Sequence, residues 1–151
     1  MKLYSFKRFL KRIIFSFGYN SFFINSKIRI ALLRLCGVKI GKNCFIGQFV
    51  FFDDLAPESI IIEDNCFITS GTKILAHYIN TDSLHKIEFV VGREGGVHIK
   101  SGCFIGMNTL IVKPVTINEN TVIAAGSVIT CDIPANVIAG GNPCKIIKER
   151  K

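Results

Sequence analysis

Three histidines, two adjacent aspartates and six cysteines are the side chains of this 151-residue chain with chemistry to offer. His77 stands three residues after an aliphatic position, where a regular pattern in the sequence breaks off. Imidazole is the side chain best suited to moving a proton near neutral pH. His85 reads as a solvated loop residue or a substrate contact, and His98, immediately before Ile99, reads as structural. Asp53 and Asp54 fall in an earlier break of the same pattern, where a carboxylate either binds hydroxyl groups or forms a turn. Cys36, Cys44, Cys66, Cys103, Cys131 and Cys144 are spread along the chain without a CxxC pair. That spacing argues for reduced, structural thiols and against a disulfide framework or a zinc site.

The pattern that must position these groups has a period of six. Aliphatic or aromatic residues recur at Ile40, Ile46 and Phe52, at Ile62, Ile68 and Ile74, and without interruption from Ile99 through Ile105, Ile111, Ile117 and Ile123 to Ile129. Four residues after most of them sits a small one, among them Cys44, Ala56, Cys66, Thr72, Cys103, Thr109, Thr121 and Ser127. Neither a helix, with 3.6 residues per turn, nor a plain strand, with two, uses such a period. It predicts a short strand plus a corner, three of which close an 18-residue coil with the long aliphatics stacked inward. The spacing stretches to ten between Phe52 and Ile62, so about four residues loop out around Asp53, Asp54 and Pro57. It stretches to 25 between Ile74 and Ile99, placing an excursion at residues 77–96 of a kind that is usually functional.

Over roughly residues 38–149 these repeats resemble the hexapeptide-repeat acyltransferases, of the sugar and polysaccharide O-acetyltransferase type. The resemblance implies an all-β solenoid, a left-handed parallel β-helix, with acetyl-CoA as co-substrate and a homotrimeric assembly. It implies that His77, 29 residues ahead of Gly106 in Cys103-Phe104-Ile105-Gly106, is the general base of direct acetyl transfer to a sugar hydroxyl. Coenzyme A is then expected at Met107, at Ala125 one coil later, and at Thr130 and Cys131 in Ile129-Thr130-Cys131-Asp132-Ile133-Pro134, where Cys131 replaces the family's usual lysine. Lys145 and Lys148, in Gly141-Asn142-Pro143-Cys144-Lys145-Ile146-Ile147-Lys148, are expected at the nucleotide phosphates or else form a solvated basic terminus. Asp53 and Asp54 are the expected acceptor contacts. No metal is expected: the γ-class carbonic anhydrases, which share this architecture, need three histidines at a spacing that 77, 85 and 98 do not match. An amino sugar or an antibiotic as acceptor, or a non-enzymatic solenoid scaffold, are the alternatives.

Charge divides the chain into parts. The net charge is +8, yet residues 1–42 hold ten of the 19 Lys and Arg and none of the 11 acids, leaving 9 − 11 = −2 for the remainder. A nucleic-acid-binding reading of the whole chain loses its support. Residues 1–37 read as a basic helical extension, 38–134 as the β-helix with its loop at 77–96, and 135–151 as a C-terminal tail. Within the extension, Leu3, Phe6, Leu10, Ile13 and Phe17 lie at helical spacing. A second helix is expected from Ser26 as N-cap through Cys36 to Gly37, with Ile28, Leu32 and Leu35 as its apolar stripe. These helices either cap the solenoid or lay residues 1–25, which carry six of the 13 phenylalanines, on an anionic inner leaflet. No apolar run reaches the ~20 residues of a membrane span, and no small-residue cleavage site follows Ile13–Ile24, so a cytoplasmic location, peripheral at the inner membrane in the second case, is expected.

Overall fold

The period of six becomes three flat faces. A computed structural model of the chain describes Ile13 and residues 24–80, 88–91 and 96–150. Sheet A stacks β1 (Lys39–Ile40), β4 (Ile60–Ile62), β9 (Val97–Ile99) and β12 (Val115–Ile117); sheet C stacks β3 (Phe51–Phe52), β6 (Lys73–Ile74), β11 (Leu110–Ile111) and β14 (Val128–Ile129). Sheet B stacks β2 (Phe45–Ile46), β5 (Phe67–Ile68), β10 (Phe104–Ile105), β13 (Val122–Ile123) and β15 (Val137–Gly140), all parallel, and ends in antiparallel β16 (Lys145–Glu149). Four successive coils therefore each contribute one strand to each face.

Register carries the isoleucines over one another. Ile40 pairs with Ile62, Ile62 with Ile99 and Ile99 with Ile117 on sheet A. Ile46, Ile68, Ile105 and Ile123 form the second column, and Phe52, Ile74, Ile111 and Ile129 the third. All twelve are buried, and they run through the middle of the hydrophobic core. Full burial of each such side chain is worth about 1.5–3 kcal/mol. At the corners the chain enters the left-handed region at Asn43, Asn65, Gly102, Asn120 and Asn136 in one column, and at Phe49, Gly71, Asn108 and Gly126 in another.

The small corner position explains the thiols. Cys44 Sγ donates to Glu63 O at 3.0 Å, Cys66 to Lys100 O at 3.1 Å and Cys103 to Asn118 O at 3.0 Å, each to the following coil. Thr121 Oγ1 continues the series to Pro134 O. All six cysteines are free thiols. Burial pushes the Cys66 thiol up to about 12 and that of Cys103 up to about 11.

A helix closes the first coil. α1 (Ser26–Cys36) is capped by Asn25, whose side chain accepts from Ile28 N, and ends at Gly37 with φ 114°. The N-cap is thus Asn25 rather than Ser26, because Ser26 Oγ instead accepts from Ile46 N at the open edge of sheet B. The buried stripe is Arg29, Ile30, Leu33 and Cys36, whereas Ile28 and Leu35 are exposed, correcting the expected stripe. What decides the face is the edge strand: Arg29 Nη1 donates to Ile46 O and Nη2 to Ile24 O, both at 2.9 Å, while Arg34 reaches Ile40 O and Gly41 O. These arginines satisfy carbonyls that have no further coil to pair with. The first expected helix and its membrane face lie outside the described residues, apart from Ile13. No helix among the described residues is long and apolar enough to cross a membrane.

The C-terminal segment is not a loose tail. Ile133 bridges Ile117, β15 adds a further strand to sheet B, and β16 folds back on β15. Residues 135–149 thus end the solenoid with a partial coil, because Val137 and Ala139 keep the inward alternation after the period of six lapses.

Two outcomes follow. Arg29→Ala leaves the carbonyls of Ile24 and Ile46 without their donor in a buried setting and should cost about 2–4 kcal/mol in urea denaturation; an unchanged midpoint contradicts the edge-capping role. In native protein a thiol reagent should modify exposed Cys131 promptly and reach Cys66 and Cys103 only on unfolding. Because those two thiols ionise more readily unfolded than folded, their contribution to stability is complete below about pH 8.5 and declines as pH rises toward the folded values.

Candidate functional site

The site begins where sheet C turns toward sheet A. The first coil leaves β3 at Asp53, whose N–H donates to Ile74 O, and bulges through residues 54–56 and a 3₁₀ turn, Pro57–Ser59. The second coil leaves β6 directly above and, after Leu75 and Ala76, runs into the strand β7 (His77–Asn80). This strand pairs antiparallel with β8 (Glu88–Val91), His77 opposite Val91. Within the expected loop at 77–96 these two strands form a pair rooted at His77; His85 lies outside the described residues.

The two breaks in the repeat meet here. His77 Nδ1 lies 2.5 Å from Asp53 Oδ2, the same oxygen that accepts Ala76 N at 2.9 Å, while Oδ1 accepts Leu55 N at 3.0 Å. Asp53 is 1% exposed and the His77 side chain 22%. An oxygen that already accepts from a backbone amide acts as acceptor toward the ring too, so the ring proton sits on Nδ1 and the basic lone pair on Nε2. Asp53, expected as an acceptor contact, is walled in, with its carboxylate against the histidine ring. Asp54, next in the chain, is exposed beside the pair.

The expected coenzyme residues fall at two corners. Gln48, Ser70, Met107 and Ala125 stack at the corner between sheets B and C, linked by Gly71 N to Gln48 O, Asn108 N to Ser70 O and Gly126 N to Met107 O. Met107 and Ala125 are both exposed there. The two coils approach closely because position 106 is glycine; a Cβ there would meet Ala125 N at 2.4 Å. A cleft of about 490 Å³ runs along this edge, its walls including Phe45, Thr69, Phe104, Met107, Val122 and Ala125. Lys145 and Lys148 continue the same face, exposed on β16, with Lys148 opposite Ile138.

Thr130 and Cys131 lie at the other corner. Val112 N donates to Ile129 O and Leu75 N to Ile111 O, so Thr130 stands two strands above Leu75, in the column that begins at Asp53 and two residues short of the His77 position, with Cys131 exposed. A strand and its flanks separate this corner from Met107, about 15 Å at 3.3 Å per residue. One chain therefore brings Asp53 to His77 and Met107 to Ala125, but does not bring the two groups together.

His98 is held elsewhere. Its Nε2 lies 2.7 Å from Glu63 Oε1, while Glu63 Oε2 accepts from Ser101 N and Oγ; the Ser101 hydroxyl above all, then His98, holds the Glu63 carboxyl below the usual range. This cluster ties the second coil to the third, in keeping with a structural role. No group of three His, Cys, Asp or Glu capable of holding a metal occurs among the described residues.

Comparison with known proteins accords with this architecture. The family model described as bacterial transferase hexapeptide (six repeats) matches residues 96–131, and the hexapeptide repeat of succinyl-transferase matches residues 37–48. The galactoside O-acetyltransferase of Escherichia coli K12 is 34% identical over 138 residues, 80% of this chain and 68% of that protein. The chain belongs to the hexapeptide-repeat acetyltransferase family. The Staphylococcus aureus (strain COL) protein SACOL2570, named for an acetyltransferase activity, is 37% identical over 112 residues, 74% of this chain. The chain spans only 55% of that relative's length. Among solved structures, a maltose O-acetyltransferase from Clostridium difficile 630 superposes with a TM-score of 0.69 at 27% identity, covering 100% of this chain and 90% of that one. A galactoside acetyltransferase solved with coenzyme A shares the fold, TM-score 0.69 at 24% identity, covering 96% and 81%. The solenoid is the family's left-handed parallel β-helix.

The Asp53–His77 contact has a direct spectroscopic consequence. Ring ¹⁵N shifts should show His77 as the Nδ1–H tautomer, and Asp53→Ala should convert it to a mixture. A mixture already present in the unsubstituted protein would contradict the assigned orientation.

Proposed function

We propose that the protein is an acetyl-CoA-dependent O-acetyltransferase acting on a sugar hydroxyl. The observation that carries this reading is His77, held by a buried carboxylate through Nδ1 at the root of a hairpin, with its basic nitrogen on the other side of the ring. The sugar specificity of the galactoside and maltose O-acetyltransferases to which it is similar supports a saccharide acceptor. Surface-polysaccharide synthesis in a bacterium is the setting in which such a modification is expected.

His77 Nε2 takes the proton of the acceptor hydroxyl as its oxygen attacks the thioester carbonyl. A backbone N–H facing the carbonyl oxygen stabilises the developing oxyanion. The tetrahedral adduct then expels coenzyme A thiolate, which recovers the proton from the imidazolium. Asp53 keeps the ring in the productive tautomer and offsets the imidazolium charge. No covalent acyl-enzyme is needed: Cys66 and Cys103 are buried neutral thiols turned toward backbone carbonyls. Asp54 is the remaining candidate for contact with acceptor hydroxyls.

The separation of the two corners supports a coenzyme held at a boundary between copies. In a trimer, one chain supplies Met107, Ala125, Lys145 and Lys148 along its sheet B edge, and the neighbour supplies His77 with Thr130 and Cys131. The pantetheine arm lies against Met107 and Ala125, and the nucleotide phosphates lie toward Lys145 and Lys148.

The test is coenzyme A release from acetyl-CoA over a panel of sugars, nucleotide sugars and amino-bearing antibiotics. Acceptor-dependent turnover should fall about 10²–10⁴-fold in His77→Ala, with coenzyme A binding retained by calorimetry, and less in Asp53→Asn. Turnover that persists in His77→Ala would refute the general base. Turnover confined to amino acceptors would replace O-transfer with N-transfer.

A further inference from the structure

The cleft on the sheet B edge extends past Met107, the last contact proposed for the pantetheine arm, and its chemistry there changes. Coenzyme A, on the reading above, runs from Lys145 and Lys148 down through Ala125 in the fourth coil to Met107 in the third. Beyond Met107 the cleft continues over the second and first coils, where Thr69 and Phe45 line it together with Phe104. Sheet B strands spaced about 4.8 Å apart put Phe45 two strands, about 10 Å, below Phe104.

The polar side chains of that stretch are confined to Thr69 and Ser70. The Thr69 hydroxyl donates to Ile105 O at 2.7 Å and its N–H goes to the same carbonyl, so the methyl is left to line the wall. Gly106 N and Ala124 N are spent on Ile123 O and Ala139 O. Phe45, Phe67 and Phe104 stand in register and remain 41–48% exposed. The Phe45 and Phe67 rings stack on each other along the solenoid axis, with centroids 5.9 Å apart and planes 24° apart. Stacked rings cover each other's faces and so do not form a flat platform for a sugar ring. A sugar held here would leave most of its hydroxyls without partners, which is costly.

We propose that this lower part of the cleft is an acyl-chain pocket, letting the enzyme take coenzyme A thioesters with a short aliphatic chain in addition to acetyl-CoA. The inference rests on the coenzyme track proposed above, since the pocket is defined by what lies beyond Met107. Phe45 and Phe104 wall the chain and the Thr69 methyl floors it.

Calorimetry with the full chain and S-ethyl-, S-butyl- and S-hexyl-coenzyme A, thioethers that cannot react, tests this without knowledge of the acceptor. Affinity should rise about fourfold per buried methylene from ethyl to butyl, and Phe45→Ala should remove that gain. Affinity that is flat or falls with chain length, while coenzyme A itself binds, overturns the acyl pocket and leaves the coenzyme track standing. Absence of binding by coenzyme A and every thioether overturns both.

Discussion

One constraint governs this molecule: each coil must lie over the last in register, so that isoleucine covers isoleucine and each corner N–H finds the carbonyl of the neighbouring coil. Ile46, Ile68, Ile105 and Ile123 show the packing half of the rule; Gly71 to Gln48, Asn108 to Ser70 and Gly126 to Met107 show the backbone half. A coil that slipped by one residue would turn its isoleucines outward. The small corner side chains and the glycine at 106 are consequences, since anything larger would hold the coils apart. So are the arginines of α1, which give the first coil's carbonyls the donors that a further coil would have supplied.

The same constraint makes the site possible. Asp53 and His77 are 24 residues apart in sequence, yet both leave sheet C at one corner in consecutive coils. The chain departs from the period of six at these two points, into a 3₁₀ turn after Asp53 and into the paired strands β7 and β8 at His77. The stacked coils thus present a carboxylate to an imidazole through the register of β3 on β6. Its cost is that Met107 and Ala125 are fixed at a different corner, which a single copy cannot bring to His77.

The fold was legible because the six-residue period is physically unambiguous. Ile99 to Ile129 needs no tertiary information to be read as stacked sides of a coil. The position of His77 at a break was legible, and the structure sets it against Asp53. The role of Asp53 was not, since a turn-forming aspartate and a buried partner of histidine look alike in sequence, and only the register of β3 on β6 decides between them. The α1 stripe failed for a related reason: Ile28 and Leu35 satisfy helical periodicity, but the open edge of sheet B recruits the face carrying Arg29, a charge that hydropathy alone would place in water. The apolar lower cleft carried a faint signal, the recurrence of Phe before Ile at 45, 67 and 104, whose meaning depends on knowing that these positions point outward on one face.

The division of the site between corners is the central claim, and complementation between copies tests it most directly. His77→Ala removes the proton acceptor; Ala125→Trp blocks the coenzyme track at the other corner. Each alone should be inactive. Co-assembled in equal amounts into a cyclic trimer, they should recover turnover at about a quarter of the sites, those pairing an intact His77 with an intact track on the neighbouring copy. Mixed assemblies that form but remain as inactive as either parent would contradict a site shared between chains.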